Sequence, residues 1–409
     1  MFIAPLGSFH SGNVMYNACN NSLISRLKRD FCVFMTLIRI IVFTLSIVTV
    51  FAGQKAFAED SIKIAAIFSV TGIAAEHNGP MIKMAELAVN SINKNGGVLG
   101  RPLELVIIDN KSTPIGSAQA AQQAVDLDVT AVIGAHWSSH SLAMAPILQN
   151  AGIPMIAPAS TNPVLTQNRS YIFRACFVDS FQGKAMAQFA RKSLKAKRAV
   201  VLSNVDEKYS ITLAHFFSES FVENSGEVVA DIQYRGDAMD FSAIITQIKD
   251  LSPEVIYVPG YSSDSGIFIK QARKLGVSAI FLGGGGCAEI SSFTGDAING
   301  SYQTAAWHPM VPYTSSLKLQ KLYEQNYGTD IKNFNSPLAY DAVMLLKNAI
   351  EYCQCVDTQK IRDSLFAMDP FPGATGVISF DEQGDPERKP VIIVQFQEKL
   401  PMYIQGLRP

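Results

Sequence analysis

The sequence IGAHWSSHSLAMAPILQNAGIPMIAPASTNP, residues 133–163, has two short apolar runs that each end in a hydroxyl-rich turn, with a helical segment between them. This order predicts a βαβ unit with two parallel strands. The carboxyl ends of parallel strands meet at one edge of the sheet, where open α/β folds bind their ligands. The hydroxyl residues that follow the two strands are therefore candidates for ligand contact: Ser138, Ser139, Ser160 and Thr161.

The composition of the chain is that of an ordinary globular protein. Of its 409 residues, 48% are hydrophobic and 17% are charged, which is enough to build two or three cores. The net charge is −1, and the part of the chain beyond its basic N-terminal region is mildly acidic. We therefore expect no nucleic-acid partner, because nucleic-acid binding relies on a surplus of basic residues.

The N-terminal region has the pattern of a secretory signal peptide. Residues 35–60, MTLIRIIVFTLSIVTVFAGQKAFAED, combine one basic residue, an apolar run and a small-x-small ending at Ala58. We predict that residues 1–58 are removed by cleavage after Ala58, so that the mature protein is exported. A retained membrane anchor is the alternative, although Arg39 interrupts the apolar run. Residues 1–34 are interpreted as an over-long extension, produced by a start codon assigned too early.

The remaining chain alternates strand and helix signals in two successive runs, which predicts two doubly wound parallel sheets. Helical segments at 316–327 and 337–353 follow the second run, and the pair 376–381 and 390–397 predicts a terminal hairpin around Gly384. The predicted strands of the two runs are 62–70, 103–109, 131–134 and 154–157, and then 198–203, 228–234, 255–258 and 279–282.

The motifs that carry catalysis or cofactor binding are missing or poorly spaced. His136 and His140 have a metal-ligand spacing, but His136 falls on a strand-to-helix turn, so we expect no metal. The glycine run at 283–286 lacks the GxGxxG spacing, so we expect no cofactor. Without a nucleophile elbow, Walker loop or paired CxxC, we predict that the protein is not an enzyme. Cys353 and Cys355 are interpreted as ordinary helix residues.

Six segments together resemble the type 1 periplasmic binding proteins of the branched-chain amino-acid and amide class, which serve ABC importers. The resemblance extends from about residue 62 to about residue 397. It implies an α/β fold with two Rossmann-like lobes, parallel sheets and a three-crossover hinge. It also implies that lobe one comprises residues 60–179 plus 308–373, and lobe two residues 180–307 plus 374–409. The six segments are 85–109, 133–139, 152–166, 171–183, 270–276 and 339–343.

The same resemblance implies roles for individual residues of the pocket. Ser138 is expected to offer its hydroxyl and backbone N–H to the ligand carboxylate, Ser160 its backbone, and Thr161 both kinds of group. Tyr209 and Tyr261 match the aromatic positions by which lobe two covers the ligand. Simple packing is the alternative for each tyrosine.

One feature departs from the family pattern. Amino-acid binders carry a carboxylate for the ligand ammonium in a loop where this sequence has Gly285. A buried ammonium without a counter-charge is costly. Either Glu289 or Asp264 takes that role, or the ligand is an amide, a urea-like compound or a simple carboxylate. His77 stands where close relatives carry an aromatic residue over the pocket, and Trp137 is expected at the cleft mouth.

The sequence therefore predicts a monomeric periplasmic binding protein that captures an amino acid or related small polar molecule by hinge closure and delivers it to an ABC permease. A free-standing periplasmic sensor of the same fold is the alternative. A fused sensor would need a membrane segment and a signalling domain after lobe two, whereas the sequence stops at Pro409.

Overall fold

The computed structural model describes residues 61–408. The predicted signal peptide, its cleavage site and the N-terminal extension lie outside the described residues. None of the helices between residues 61 and 408 is both long enough and apolar enough to span a bilayer.

The first sheet consists of five parallel strands in the order β2-β1-β3-β4-β5. The residues of the first strand alternate between two apolar clusters, one on each face of the sheet, which explains why they are almost all apolar. The strands are β1 (Ile62–Phe68), β2 (Leu103–Asp109), β3 (Ala131–Gly134), β4 (Met155–Ala157) and β5 (Ile172–Arg174), and the helices are α1 (Ala75–Lys94), α2 (Pro114–Asp126) and α3 (Ser138–Ala151).

The second sheet has seven strands in the order β14-β13-β10-β9-β8-β6-β7, and a separate two-stranded sheet pairs β11 with β12. The helices that accompany the second sheet are α4 (Asp179–Lys192), α5 (Lys208–Glu223), α6 (Ser242–Leu251), α7 (Ser262–Lys274) and α8 (Ile290–Thr294). The strands are β6 (Arg198–Asn204), β7 (Glu227–Tyr234), β8 (Val255–Val258), β9 (Ile280–Gly283), β10 (Tyr302–Ala305), β11 (Phe371–Gly373), β12 (Gly376–Ile378), β13 (Val391–Gln397) and β14 (Leu400–Leu407).

The two sheets share one topology. The order β7-β6-β8-β9-β10 repeats the order of the first sheet, so each sheet has a switch point next to its first strand, between β1 and β3 and between β6 and β8. The late helices α9 (Thr314–Tyr327), α10 (Pro337–Cys353) and α11 (Thr358–Ala367) return to the first sheet, where α10 packs against α1. We call the first sheet with α1–α3 and α9–α11 the first lobe, and the second sheet with α4–α8 the second lobe. The residue boundaries implied by the resemblance stay a prediction.

The predicted terminal hairpin is formed only next to its turn, where Phe380 and Pro386 form an antiparallel bridge, and does not extend along the two predicted strands. β12 pairs with β11, whereas β13 pairs antiparallel with β10 and with β14. Four strands, β5, β10, β11 and β14, were not predicted from the sequence. The turn between β12 and β13 instead reaches the first sheet. There the carbonyl of Gly384 accepts the Arg174 backbone N–H at 3.2 Å, and the Arg174 guanidinium lies 2.6 Å from Asp385.

The interpretation of the two late cysteines as ordinary helix residues is wrong. Cys353 is the last residue of α10, Cys355 lies beyond the helix, and the two form a disulfide. Cys176 and Cys287 are buried thiols.

Candidate ligand-binding site

A pocket that is partly open to solvent lies between the lobes at the carboxyl ends of their central strands. Both switch points contribute to it, as expected for an open α/β fold. Five of the residues predicted from the sequence line this pocket: Ser138, Thr161, Tyr209, Tyr261 and Gly285. The other lining residues are His136, Ala159, Cys176, Phe177, Gln182, Gly286, Ala306, Asn335 and Leu338.

The first-lobe wall of the pocket is polar. Ser138 is the first residue of α3, so its backbone N–H has no helical acceptor. Its hydroxyl accepts a hydrogen bond from the Asn162 backbone N–H at 3.4 Å. The Thr161 hydroxyl is buried and has no hydrogen-bond partner among residues 61–408. A helix N-terminus beside a free hydroxyl is suited to a carboxylate.

The side chain of Ser160 links the turn after β4 to the turn after β3. Its hydroxyl lies 2.6 Å from the Ser141 hydroxyl and donates to the Ala135 carbonyl at 3.2 Å. Its carbonyl accepts from the fully buried Arg174 guanidinium at 2.9 Å. Ser160 therefore positions the loop that carries Thr161, and it does not line the pocket.

An aromatic stack joins the two lobes. The rings of Trp137 and Tyr261 lie 4.1 Å apart, and the rings of Tyr261 and Tyr209 lie 5.4 Å apart. The Gly286 backbone N–H donates to the Tyr209 hydroxyl at 3.0 Å. Burial raises the pKa of Tyr209 and of Tyr261 well above the usual value, so both phenols stay protonated. Trp137 is itself only 5% exposed and does not line the pocket.

The two carboxylates proposed to replace the missing acid are engaged elsewhere. Glu289 lies 2.7 Å from His77 Nδ1 and also accepts from the Asn333 amide, so it bridges the lobes beside the pocket. Asp264 accepts hydrogen bonds from Tyr234, Asn204 and the backbone N–H of Tyr261 and Ser265. Neither Glu289 nor Asp264 lines the pocket, and their proposed ligand roles stay untested predictions.

The side-chain amides of Gln182 and Asn335 both form hydrogen bonds to the backbone of Gly285. Its N–H donates to Gln182 Oε1 at 2.7 Å, and its carbonyl accepts from the Asn335 amide at 2.8 Å. A Cβ added at Gly285 would lie 3.1 Å from Gln182 Oε1, so an acidic side chain there would have to displace this glutamine. The lack of a side chain at Gly285 therefore leaves the space in which Gln182 bonds to its backbone.

Sequence analysis missed a third carboxylate, Asp179, which lies at the start of α4 and is fully buried. One of its oxygens accepts from Gln182 at 3.1 Å, and the other has no partner in the described chain. Burial raises the pKa of Asp179 to about 7, against the opposing effects of the Thr161 hydroxyl and Arg174. The Thr161 hydroxyl is close enough to lower that pKa, whereas Asp179 itself does not line the pocket. The only sequence signal was an acid and a glutamine three residues apart at the predicted crossover.

A fourth carboxylate lies across the cleft from Ser139. The Ser139 hydroxyl donates to Glu207 at 3.3 Å, and burial raises the pKa of Glu207 to about 7. Asn162 donates to the Thr212 hydroxyl at 2.9 Å beside this contact. Ser139 therefore contacts the second lobe and does not line the pocket.

The two histidines considered for metal binding do not share a helix. His140 belongs to α3 and lies 3.3 Å from the Asn110 amide, whereas His136 precedes the helix and lines the pocket. Within the described range, no three residues of the His, Cys, Asp and Glu types are grouped so that they could hold a metal ion.

Two lobes of the same topology that meet over a polar pocket define a ligand-binding protein of the hinge-closing type. The chain belongs to the periplasmic binding protein family, whose sequence model matches residues 61–399, and within it to the branched-chain amino-acid substrate-binding class. The family and the two-sheet fold expected from the sequence are thereby confirmed.

The chain is similar to several characterised members of this family. It is 32% identical to the leucine-, isoleucine-, valine-, threonine- and alanine-binding protein of Pseudomonas aeruginosa, over 81% of this chain and 89% of the relative. It is 35% identical to the crystallised leucine-binding protein LivK of Thermotoga maritima, with a TM-score of 0.80 over 85% of this chain and 99% of that one. LivJ of Streptococcus pneumoniae, crystallised with isoleucine, is 29% identical, with a TM-score of 0.81 over 85% of this chain and 100% of that one.

Proposed function

We propose that the protein binds an amino acid or a closely related small polar molecule in the periplasm and delivers it to an ABC permease. The names of the relatives support this function, since they describe leucine-, isoleucine- and valine-binding proteins and a branched-chain amino-acid transporter substrate-binding protein. Export through the predicted cleavage after Ala58 and a monomeric state belong to the same proposal. The protein performs no chemistry on its ligand.

The ligand's carboxylate would bind at the N-terminus of α3. Ser138 supplies a backbone N–H and a hydroxyl there, and Thr161 supplies a hydroxyl that has no other partner in the described part of the chain. Ser160 takes part through its loop rather than its side chain, because its hydroxyl is already bonded to Ser141.

The ligand's ammonium would bind beside Asp179. The observation that carries this assignment is that Asp179 Oδ2 is buried without a geometric hydrogen-bond partner among residues 61–408, directly behind the lining residue Thr161, whose hydroxyl is close enough to lower the pKa of Asp179. A buried carboxylate oxygen without a partner is rare, because leaving it unpaired is costly. Asp179 is therefore a better candidate for the missing acid than Glu289 or Asp264, whose carboxylates are engaged in other hydrogen bonds and ion pairs.

The ligand would be held by closure of the second lobe over the first. Tyr209 and Tyr261 form the second-lobe wall of the pocket, and Tyr261 stacks on Trp137 of the first lobe. Three cross-lobe contacts lie around the pocket: His77 with Glu289, Ser139 with Glu207, and Asn162 with Thr212. These contacts exist only when the lobes are together, so they stabilise the state that would dock on a permease.

Isothermal titration calorimetry against amino acids, amides and simple carboxylates tests the proposal. We expect at least one ligand to bind tightly with a stoichiometry of one. L-leucine and 4-methylpentanoate form a matched pair that differs only by the ammonium, and the same comparison applies to each amino acid that binds. Tight binding of the amino acid alone supports the ammonium site, whereas equal binding of both removes it. If no compound of any of these classes binds, the transport function is wrong.

A further inference from the structure

We infer that the ligand carries a neutral hydrogen-bond donor, a hydroxyl or an amide N–H, on the side chain that faces His136. His136 is thereby a specificity-determining residue that favours polar amino acids over aliphatic ones of the same shape. This inference rests on the proposed function, since it names the class of ligand that the same pocket takes.

His136 lies at the pocket. It lies in the turn between β3 and α3, two residues before Ser138, at the switch point of the first sheet. Together with Ser138 and Thr161 it lines the pocket, and it is only 7% exposed. A ligand whose carboxylate meets Ser138 would therefore have its remaining atoms close to this imidazole.

One ring nitrogen of His136 is buried without a partner. Nδ1 has no hydrogen bond to any residue between 61 and 408. The backbone of His77 raises the pKa of His136, as a carbonyl near the ring does, and since Nδ1 has no partner we place that carbonyl at Nε2. A backbone carbonyl only accepts hydrogen bonds, so Nε2 carries the hydrogen and Nδ1 presents a lone pair.

The imidazole is neutral under all physiological conditions. Burial, together with the nearby rings of His77 and His140, lowers the pKa of His136 to about 3. A neutral ring with its hydrogen on Nε2 cannot pair with a carboxylate through Nδ1, but it accepts a hydrogen bond there. The complementary ligand group is therefore an uncharged O–H or N–H.

An apolar ligand would leave this acceptor unpaired in a closed pocket. Leaving a buried polar atom without a partner is unfavourable enough to change an equilibrium constant by about 10- to 100-fold. None of the residues between 61 and 408 satisfies Nδ1. The ligand is the remaining source of a donor with defined geometry.

Pairs of amino acids that match in shape but differ in one donor provide the test. Threonine with valine and asparagine with leucine are the probes, measured by titration calorimetry on the mature protein. We expect the polar member of the preferred pair to bind at least 10-fold more tightly. His136→Leu should remove or invert this ratio, whereas His136→Asn, which keeps an acceptor near the position of Nδ1, should retain it. Thermal denaturation checks that both variants are folded.

The inference and the proposed function fail in different ways. If valine or leucine binds as tightly as its polar partner, or if the ratio is unchanged in His136→Leu, the inference is overturned while the transport function stands. If His136→Leu does not fold, the affinity ratio of the wild type and that of His136→Asn still test the inference. A ligand of another class supports the inference when its far end carries a hydroxyl or amide N–H, and overturns it when that end is a hydrocarbon. Absence of any ligand overturns the proposed function itself.

Discussion

Nδ1 of His77 lies 2.7 Å from Oε2 of Glu289, although the two residues are 212 positions apart in the chain. His77 belongs to α1 of the first lobe, and Glu289 directly precedes α8 of the second. The bond therefore fastens the lobes together beside the pocket. Because neither side chain lines the pocket, the contact between His77 and Glu289 would affect ligand binding through lobe closure.

Glu289→Gln should weaken ligand binding moderately. Loss of the partly buried contact with His77 lowers the population of the closed state, and the apparent affinity falls by the same factor, about 3- to 10-fold. The decrease should be equal for ligands with and without an ammonium. Calorimetry gives the affinity, and small-angle scattering gives the mean opening of the lobes. Glu382→Gln, a change at an exposed glutamate, is the control. A loss confined to ammonium-bearing ligands would instead make Glu289 the ligand's counter-charge.

Thr161→Val should reduce ligand affinity by about 1 to 3 kcal/mol, because it removes a buried hydroxyl that is free to bond to the ligand. The shape of the side chain is kept, so the effect reports the hydrogen bond. Thr161→Ser restores the hydroxyl and should retain most of the affinity in the same titration. Equal affinities of the valine variant and the wild type would exclude a role for this oxygen.

Affinity for an ammonium-bearing ligand should increase as the pH rises through about 7. The raised pKa of Asp179, about 7, means that part of the protein holds this carboxyl protonated at neutral pH. An adjacent ammonium favours the carboxylate, so binding releases a proton. Arg174, Gln182 and Tyr209 are the other groups near Asp179. Calorimetry in two buffers of different ionisation enthalpy measures the released proton.

Two variants separate Asp179 from the other carboxyl that titrates near neutrality. Asp179→Asn should abolish proton release and weaken the amino-acid ligand strongly. The pKa of Glu207 is also raised to about 7, but this residue contacts Ser139 outside the pocket. Glu207→Gln should therefore leave the proton release intact. Proton release that survives in Asp179→Asn would refute the assignment.

The polar tips of β3 and β4 were predictable because their signal is local. An apolar run followed by hydroxyl residues fixes a strand and its turn, which was sufficient to select Ser138 and Thr161. Asp179 was not selected, because its significance lies in burial and in an unpartnered oxygen, and both depend on how the lobes meet. The same holds for the pairing of His77 with Glu289.

The short extent of the terminal hairpin, which pairs only next to its turn, has a similar cause. Gly384 lies in a turn between two extended segments, which is the usual sign of a hairpin. The chain instead detours to the first sheet, where Asp385 neutralises the fully buried guanidinium of Arg174. The path of residues 382–386 is set by the buried charge of Arg174, which needs a partner from a distant segment. The local sequence pattern does not contain this information.

Asp341→Asn should lower the free energy of unfolding by about 3 to 5 kcal/mol. Asp341 is buried on α10 and accepts hydrogen bonds from the backbone N–H of Ala374 at 2.7 Å and of Thr375 at 2.9 Å, in the connection between the lobes. Lys389, also buried, donates to the Thr375 hydroxyl, and burial lowers its pKa to about 8 while Asp341 opposes this. The amide therefore leaves a buried ammonium without its counter-charge. Adding Lys389→Met to Asp341→Asn removes that ammonium, so the double variant should be more stable than Asp341→Asn alone. Urea unfolding of the wild type, both single variants and the double variant measures this coupling. If the two single effects simply add, the two residues do not stabilise each other.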